Sequence, residues 1–456
     1  MRTFIIGCFV IGILALPVLA QDQQPAAQST DQRNPPAHDT MNMPGMNMNM
    51  SPSAPDWMPS AHLSSGTGWQ PAATTSHSWM KSLGSWELMA HGVIFIDYNQ
   101  QGGLRGEGKA ESVNWLMLMQ QHTAFGGTLL FREMFSAESL TAPHPGFPEL
   151  FQTGETYHGQ PLVDHQHPHN VFSELALDYK HPVADRVSWL FYGGVVGEPA
   201  LGPVAYIHRA SAAELPLAPL SHHLQDSTHI SFGVLTTGLI LSGRPAACPS
   251  QRASCDKWVL KVEGSVFNGR EPNEKRYSIQ FAPLDSWSTR LSIAPTRNWT
   301  MQYSYGRLEH PEALEPGSQR RQTASVEYFR PLANGSWATT AVWGRVHKEA
   351  DGHNLNGYLL ETTLNFKSSY YAFSRLELVD KDELFPDNRL FPSFRIGAYT
   401  FGGERDLFQR RLWQLALGSD VTFYSKPPSL NASYGTNPVS FQVFFRARPA
   451  LSYHRH

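Results

Sequence analysis

Val439-Ser440-Phe441-Gln442-Val443-Phe444-Phe445-Arg446-Ala447-Arg448 reads as one strand whose two faces meet different surroundings. Side chains alternate across an extended chain, so Val439, Phe441, Val443 and Phe445 share one face. Ser440, Gln442, Arg446 and Arg448 share the other. A soluble sandwich alternates in the same way, with its polar face toward water. One strand therefore leaves the fold open.

Working outward, the same pattern recurs. In the segment 257–267, Trp258, Leu260, Val262 and Val266 oppose Lys257, Lys261, Glu263 and Ser265. In 171–179, Val171, Leu175, Leu177 and Tyr179 oppose Phe172, Glu174, Ala176 and Asp178. Strands are expected to start near 86, 111, 126, 170, 186, 229, 257, 286, 298, 321, 335, 355, 369, 392, 410 and 438. Their connections alternate in length. Short ones fall at 122–126, 181–185, 294–298, 331–335 and 367–369, and long ones at 136–170, 197–228, 269–285, 309–320 and 426–438. The segment carrying the cysteines is long but falls on the short side. Short turns at one end and long loops at the other distinguish an outer-membrane barrel from a sandwich. The expected fold is all-β: a transmembrane antiparallel barrel of about 16 strands, with 14 to 18 compatible with the pattern. The polar face then lines the lumen. It carries Glu174, Asp178, Lys261, Glu263, Glu327, Glu361, Arg375, Glu377, Asp420, Arg446 and Arg448. A lumen with both signs is either water-filled or crossed by ion pairs.

The rest of the chain agrees with export. Arg2 precedes an apolar run from Phe4 to Leu16 that ends in Val18-Leu19-Ala20, the layout of a cleaved signal peptide over residues 1–20. Residues 21–84 form a Met-, Pro- and Gln-rich tail expected to be disordered and periplasmic, and residues 85–456 form the barrel. No later stretch is apolar enough to span a bilayer as a helix. Aromatic residues make up 12% of the chain, which suits a barrel with aromatic girdles. The net charge of −3 argues against a nucleic-acid partner. The expected location is the outer membrane, with lipid and lipopolysaccharide as partners. Cys248 and Cys255 lie close together, and an oxidising compartment favours a local disulfide over a two-thiol metal site.

Two constellations carry ligand chemistry. The tail places Met41, Met43, Met46, Met48 and Met50 within ten residues, preceded by His38. Thioethers are soft donors that suit Cu(I). The alternative is a biased linker. The second constellation is His165, His167 and His169 just before one strand, with His222, His223, Asp226 and His229 just before another two places along. Imidazole and carboxylate suit Cu(II) or Zn. In the alternative, these rings hydrogen-bond loop backbone and pin a folded-in plug. Both groups should emerge on the long-loop side and could converge. No nucleophile elbow, phosphate loop or nucleotide fingerprint appears, so catalysis is not expected.

The signal, Met-rich tail and barrel together resemble the copper-resistance protein B family of outer-membrane proteins. The barrel also resembles a group of Gram-negative outer-membrane barrels with no established activity. The segments that carry this second likeness are Gly66-Thr67-Gly68-Trp69-Gln70-Pro71, Gln166-His167-Pro168-His169-Asn170, Ser304-Tyr305-Gly306-Arg307-Leu308 and 420–427. The resemblance implies transition-metal handling, chiefly copper, by binding, tolerance or transport, with periplasmic metal-handling proteins as partners. The alternative is a general or small-solute porin, or a structural barrel, without metal function. A barrel-embedded hydrolase is a third reading with no local sequence support.

Overall fold

The computed structural model describes residues 63–243, 258–386, 393–410 and 412–451. The signal at 1–20, the five tail methionines (Met41, Met43, Met46, Met48 and Met50), and Cys248 and Cys255 lie outside these residues.

A single antiparallel sheet closes on itself. Its first strands are β1 (Ser78–Leu83), β2 (Trp86–Gln100), β3 (Gly108–Glu111), β4 (Asn114–Ala124) and β5 (Gly127–Phe135). A separate two-stranded hairpin follows, β6 (Phe147–Tyr157) with β7 (Gln160–Gln166). The barrel resumes with β8 (Phe172–Ala184), β9 (Val187–Gly197), β10 (Ser231–Gly243), β11 (Trp258–Phe267), β12 (Ser286–Thr296) and β13 (Trp299–Leu308). It continues with β14 (Gln319–Leu332), β15 (Gly335–Lys348), β16 (Asn354–Phe366) and β17 (Tyr370–Lys381). It ends with β18 (Phe394–Gln409), β19 (Trp413–Ser425) and β20 (Val439–Pro449).

These segments occupy sixteen positions around the barrel. The long strand β2 explains the difference between segments and positions. On one side its lower half pairs with β4 (Trp86↔His122) and its upper half with β3 (Asp97↔Glu111). An irregularity at Ser112-Val113 separates β3 from β4, where the Phe95 amide donates to the Val113 carbonyl. On the other side of β2 lie β1 (Ser78↔His91) and β20 (Ile94↔Ala447), which closes the barrel. An isolated bridge, His77↔Leu451, joins β1 to the end of β20.

Each face does what its residues require. On β20, Val439, Phe441, Val443 and Phe445 are exposed on the barrel exterior. Ser440, Gln442, Arg446 and Arg448 are buried inside it. All the charged residues assigned to the lumen, from Glu174 to Arg448, are buried. Trp86, Trp258, Trp299 and Trp413 each open a strand that rises from the short-turn end, and Trp189 and Trp337 sit two residues in. Their amphipathic rings form a belt at that rim, as at a membrane–water interface. An apolar exterior and a belt of tryptophans fit lipid outside and polar groups within.

Ordered chain begins before the expected barrel boundary at 85. Residues 63–70 turn into the lumen through a Leu63↔Trp69 bridge, and β1 pairs in the wall, so 63–84 are not disordered tail. The reason is local. The Lys261 ammonium donates to the Thr67 carbonyl and also faces the Trp69 ring, Arg290 donates to Thr67 Oγ1 (2.8 Å), and Arg132 donates to the Ser64 carbonyl (2.5 Å). Lumen cations hold a segment whose own composition gives it no core.

Candidate functional site: a histidine ring inside a plugged lumen

The lumen is crossed by ion pairs and by inserted chain. The loop between β9 and β10, residues 198–230, is buried along most of its length. Three anchors tie it to the far wall. Arg209 Nε donates to Glu361 Oε1 (2.6 Å), and Arg209 Nη1 to Asp226 Oδ2 (2.9 Å) and the Val204 carbonyl (3.0 Å). Glu214 pairs with Arg446 (3.0 Å) and Arg448 (2.9 Å). Glu377 accepts from the Ser221 amide (2.9 Å) and hydroxyl (2.6 Å). Close approach needs a wall without side chains. A Cβ on Gly344 of β15 would lie 2.1 Å from the Leu224 carbonyl oxygen, so the insert packs directly on backbone there.

The second inserted segment, 136–171, carries the β6/β7 hairpin. Its register slips twice, and Phe151, Glu155 and Asp164 adopt positive φ. Such backbone costs about 1–3 kcal/mol per non-glycine residue and persists only where surrounding contacts impose it. Those contacts are present. Asp164 accepts from the Phe151 amide (2.7 Å) and pairs with Arg105 (2.8 Å). Glu155 pairs with Arg276 and lies 3.2 Å from His167 Nε2.

The two inserts meet near the long-loop rim, where five imidazoles form a closed ring. Neighbouring centroids are 5.4 Å apart for His223–His167, 6.4 Å for His167–His169, 5.2 Å for His169–His229, 5.0 Å for His229–His222 and 5.2 Å for His222–His223. Each Nδ1 has an oxygen nearby. His169 Nδ1 donates to Glu138 (2.7 Å), His222 Nδ1 to Asp226 Oδ1 (2.5 Å) and His229 Nδ1 to the Asp226 carbonyl (2.7 Å). His167 Nδ1 lies 3.3 Å from the Pro168 carbonyl, and His223 Nδ1 lies 3.9 Å from Glu271. The His223 ring has room because residue 154 is glycine: a Cβ there, at φ +118°, would sit 2.5 Å from the ring. His223 Nε2 is buried without a hydrogen-bond partner.

Burial decides most of the charge states. Desolvation disfavours imidazolium. It holds His222 down to about 4 and His223 to about 3, and pushes His167 and His229 well below their ordinary range. These four rings are neutral, with lone pairs available. His169 is the exception: burial lowers its pKa, but the Glu138 carboxylate outweighs that and raises it. The hydrogen bonds require the same answer. His169 and His229 both donate from Nδ1, yet their Nε2 atoms lie 3.1 Å apart, so one of the two Nε2 atoms must carry a proton. Glu138 assigns it to His169. Asp226 is an anion: burial pushes its carboxyl up, but His222 and Arg209 hold it well below the carboxylate range.

Of the residues singled out by sequence, His167, His169, His222, His223 and His229 come together, and two do not serve as expected. His165 stays in the hairpin, which ends only at Gln166, and its Nε2 meets Glu107 (2.7 Å) rather than the ring. Asp226 is no free ligand. Its carboxylate is used by His222, Arg209 and the Tyr206 amide (2.9 Å), so it orients a ring instead. Glu138, Glu155 and Glu271 lie outside the two histidine runs and carry no local motif, so no sequence signal marks them. His208, in the same loop, packs on Trp115 of β4 and His91 of β2. Close by, Met89, Met117, Met119 and Met134 form a buried cluster against Ile207 of the insert and Leu63.

No family model and no curated protein matches this chain. Solved structures do. An anion-selective porin from Comamonas acidovorans is similar over 80% of this chain and 99% of its own, at 8% identity and a TM-score of 0.47. Salmonella typhi OmpF, solved in complex with daunomycin, covers 81% and 100% at 9% identity and 0.46. OccK3 of Pseudomonas aeruginosa covers 80% and 96% at 7% identity and 0.36. The closed sixteen-strand sheet, its apolar exterior and its asymmetric ends define the chain as a β-barrel of the outer-membrane type.

Proposed function

We propose that this protein is a gated small-solute barrel, in which polar solutes cross when the insert 198–230 shifts away from the far wall. A sixteen-strand barrel is wide enough to enclose an aqueous channel. One observation carries the reading: beside its apolar contacts, in which Leu215 clusters with Phe373 and Phe444 and Leu220 and Leu224 with Val346 and Val379, the insert is held by buried polar contacts, with Arg209 and Glu214 in ion pairs and Ser221 hydrogen-bonded to Glu377. Desolvating a buried ion costs several kcal/mol, which attraction to its partner only roughly offsets. Those same groups regain hydration when water enters. The polar part of the seal is therefore closer to balance with an open state than an apolar contact of the same size. Planar-bilayer recording of the purified full chain tests this. The expected trace is mostly closed, with brief ohmic openings that become frequent when Arg209 is replaced. Silence from both proteins, each shown to be folded, would remove the reading. A second reading, transition-metal and chiefly copper handling, is favoured by the histidine ring and by the thioethers of the tail.

A further inference from the structure

We infer that His167, His222 and His223 form a binding site for one divalent late first-row transition-metal ion, with zinc as the reference case. The site does not depend on solute passage.

Three features carry the inference. The first is donor geometry: one ring nitrogen from each of the three histidines lies within 4.8 Å of the other two. Zinc–nitrogen bonds of about 2.0–2.1 Å place tetrahedral ligand nitrogens about 3.3 Å apart, so modest ring rotation closes the set. The second is the outer shell. Metal-bound histidine nearly always gives its other ring N–H to a carboxylate or carbonyl, which fixes the tautomer. His222 does this through Asp226, which is itself held by Arg209, and the Nδ1 of His167 lies 3.3 Å from the Pro168 carbonyl, while that of His223 is 3.9 Å from Glu271, beyond direct hydrogen-bond reach. The third is an unmet demand: the buried, unpartnered Nε2 of His223 beside a cavity of about 10 Å³. A buried polar atom without a partner costs about 1–3 kcal/mol, and a bound cation removes that cost.

The donor set also selects the ion. Neutral imidazoles suit Zn(II), Cu(II) and Ni(II), whereas Ca(II) and Mg(II) require oxygen cages. Three histidines leave a fourth position for water or for the Glu155 carboxylate, which stands 3.2 Å from His167 Nε2. The ion would join the two inserts, since His167 comes from 136–171 and His222 and His223 from 198–230.

The test is Zn(II) competition against a chromophoric chelator, using metal-stripped full-length protein in detergent. One tight equivalent is expected. His167→Gln and His223→Gln should each weaken it about 100-fold or more, because even outer-shell losses reach 10–100-fold. His165→Gln should leave it unchanged. Heat-modifiable migration on gels shows whether each variant is folded. Zinc-edge anomalous scattering from wild-type crystals gives a readout that needs no variant, with a peak expected among the three rings. Absence of a tight equivalent overturns the inference. So does tight binding that survives both substitutions, or an anomalous peak elsewhere.

Discussion

Replacing Arg209 with alanine probes the seal directly. Arg209 is fully buried and bridges two carboxylates, Glu361 on β16 and Asp226 in its own loop. Removing one member of a buried pair typically costs about 3–5 kcal/mol, because the remaining charge stays desolvated. Here neither carboxylate is left alone. Glu361 keeps Arg375 (3.2 Å) and the Ser211 hydroxyl (3.0 Å), and Asp226 keeps His222 (2.5 Å). The lower end, about 3 kcal/mol, is therefore expected, and at about 1.4 kcal/mol per tenfold it shifts the closed–open balance about 100-fold. The barrel wall should be unaffected, since its ladders do not pass through Arg209. Open probability in planar bilayers should rise by that order while heat-modifiable migration stays normal. Adding Glu361→Gln should not restore closure, because Glu361 is still paired with Arg375 and its removal leaves that buried cation without its carboxylate. The reasoning is refuted if the folded single variant gates like wild type.

Further expectations follow from the same contacts. Gly344→Leu should push residues 222–225 off the wall, raising conductance and lowering Zn(II) affinity together, measured on one preparation. On the lipid face, Leu291→Arg near the middle of β12 should destabilise the barrel by about 2–4 kcal/mol, seen as a lower urea midpoint for loss of the folded band. Burial, and then repulsion from Glu377, push the Glu149 carboxyl of the inner hairpin up to about 8. The folded state thus binds a proton that the unfolded chain releases above its ordinary value of 4.5, so hairpin stability declines as pH rises from about 5 to about 8. Hydrogen exchange over 147–157, corrected for intrinsic rate, should quicken between about pH 5 and 8 and level off above. Glu149→Gln should flatten that dependence.

Much of this architecture is written locally. Observed strand starts such as Trp86, Gly127, Val187, Ser286, Gly335 and Val439 fall within a residue or two of the expected ones, because a two-residue period reports directly on a wall between lipid and lumen. The inward aim of Glu174, Glu263 and Glu361 follows from the same period. Departures arise where a second partner intervenes. The segment 63–84 reads as tail because it has no apolar period, yet cations from β5, β11 and β12 hold its first residues in the lumen. His165 reads as part of the histidine set by spacing, but the end of the hairpin at Gln166 decides which rings leave for the centre.

The sequence by itself determined the barrel, its strand order, which end bears the long loops, and which side chains face inward. Each of these depends on a period or a length that neighbouring residues carry. Only the tertiary structure decided that the lumen is plugged, that Arg209, Glu214 and Ser221 anchor the insert beside its apolar contacts, and that five imidazoles close a ring around one small cavity. Those features rest on contacts between distant residues, such as His169 with His229, 60 positions apart, and Glu214 with Arg448, 234 apart. Distances of that kind are set by how folded-in loops cross a closed barrel, and no local pattern encodes them.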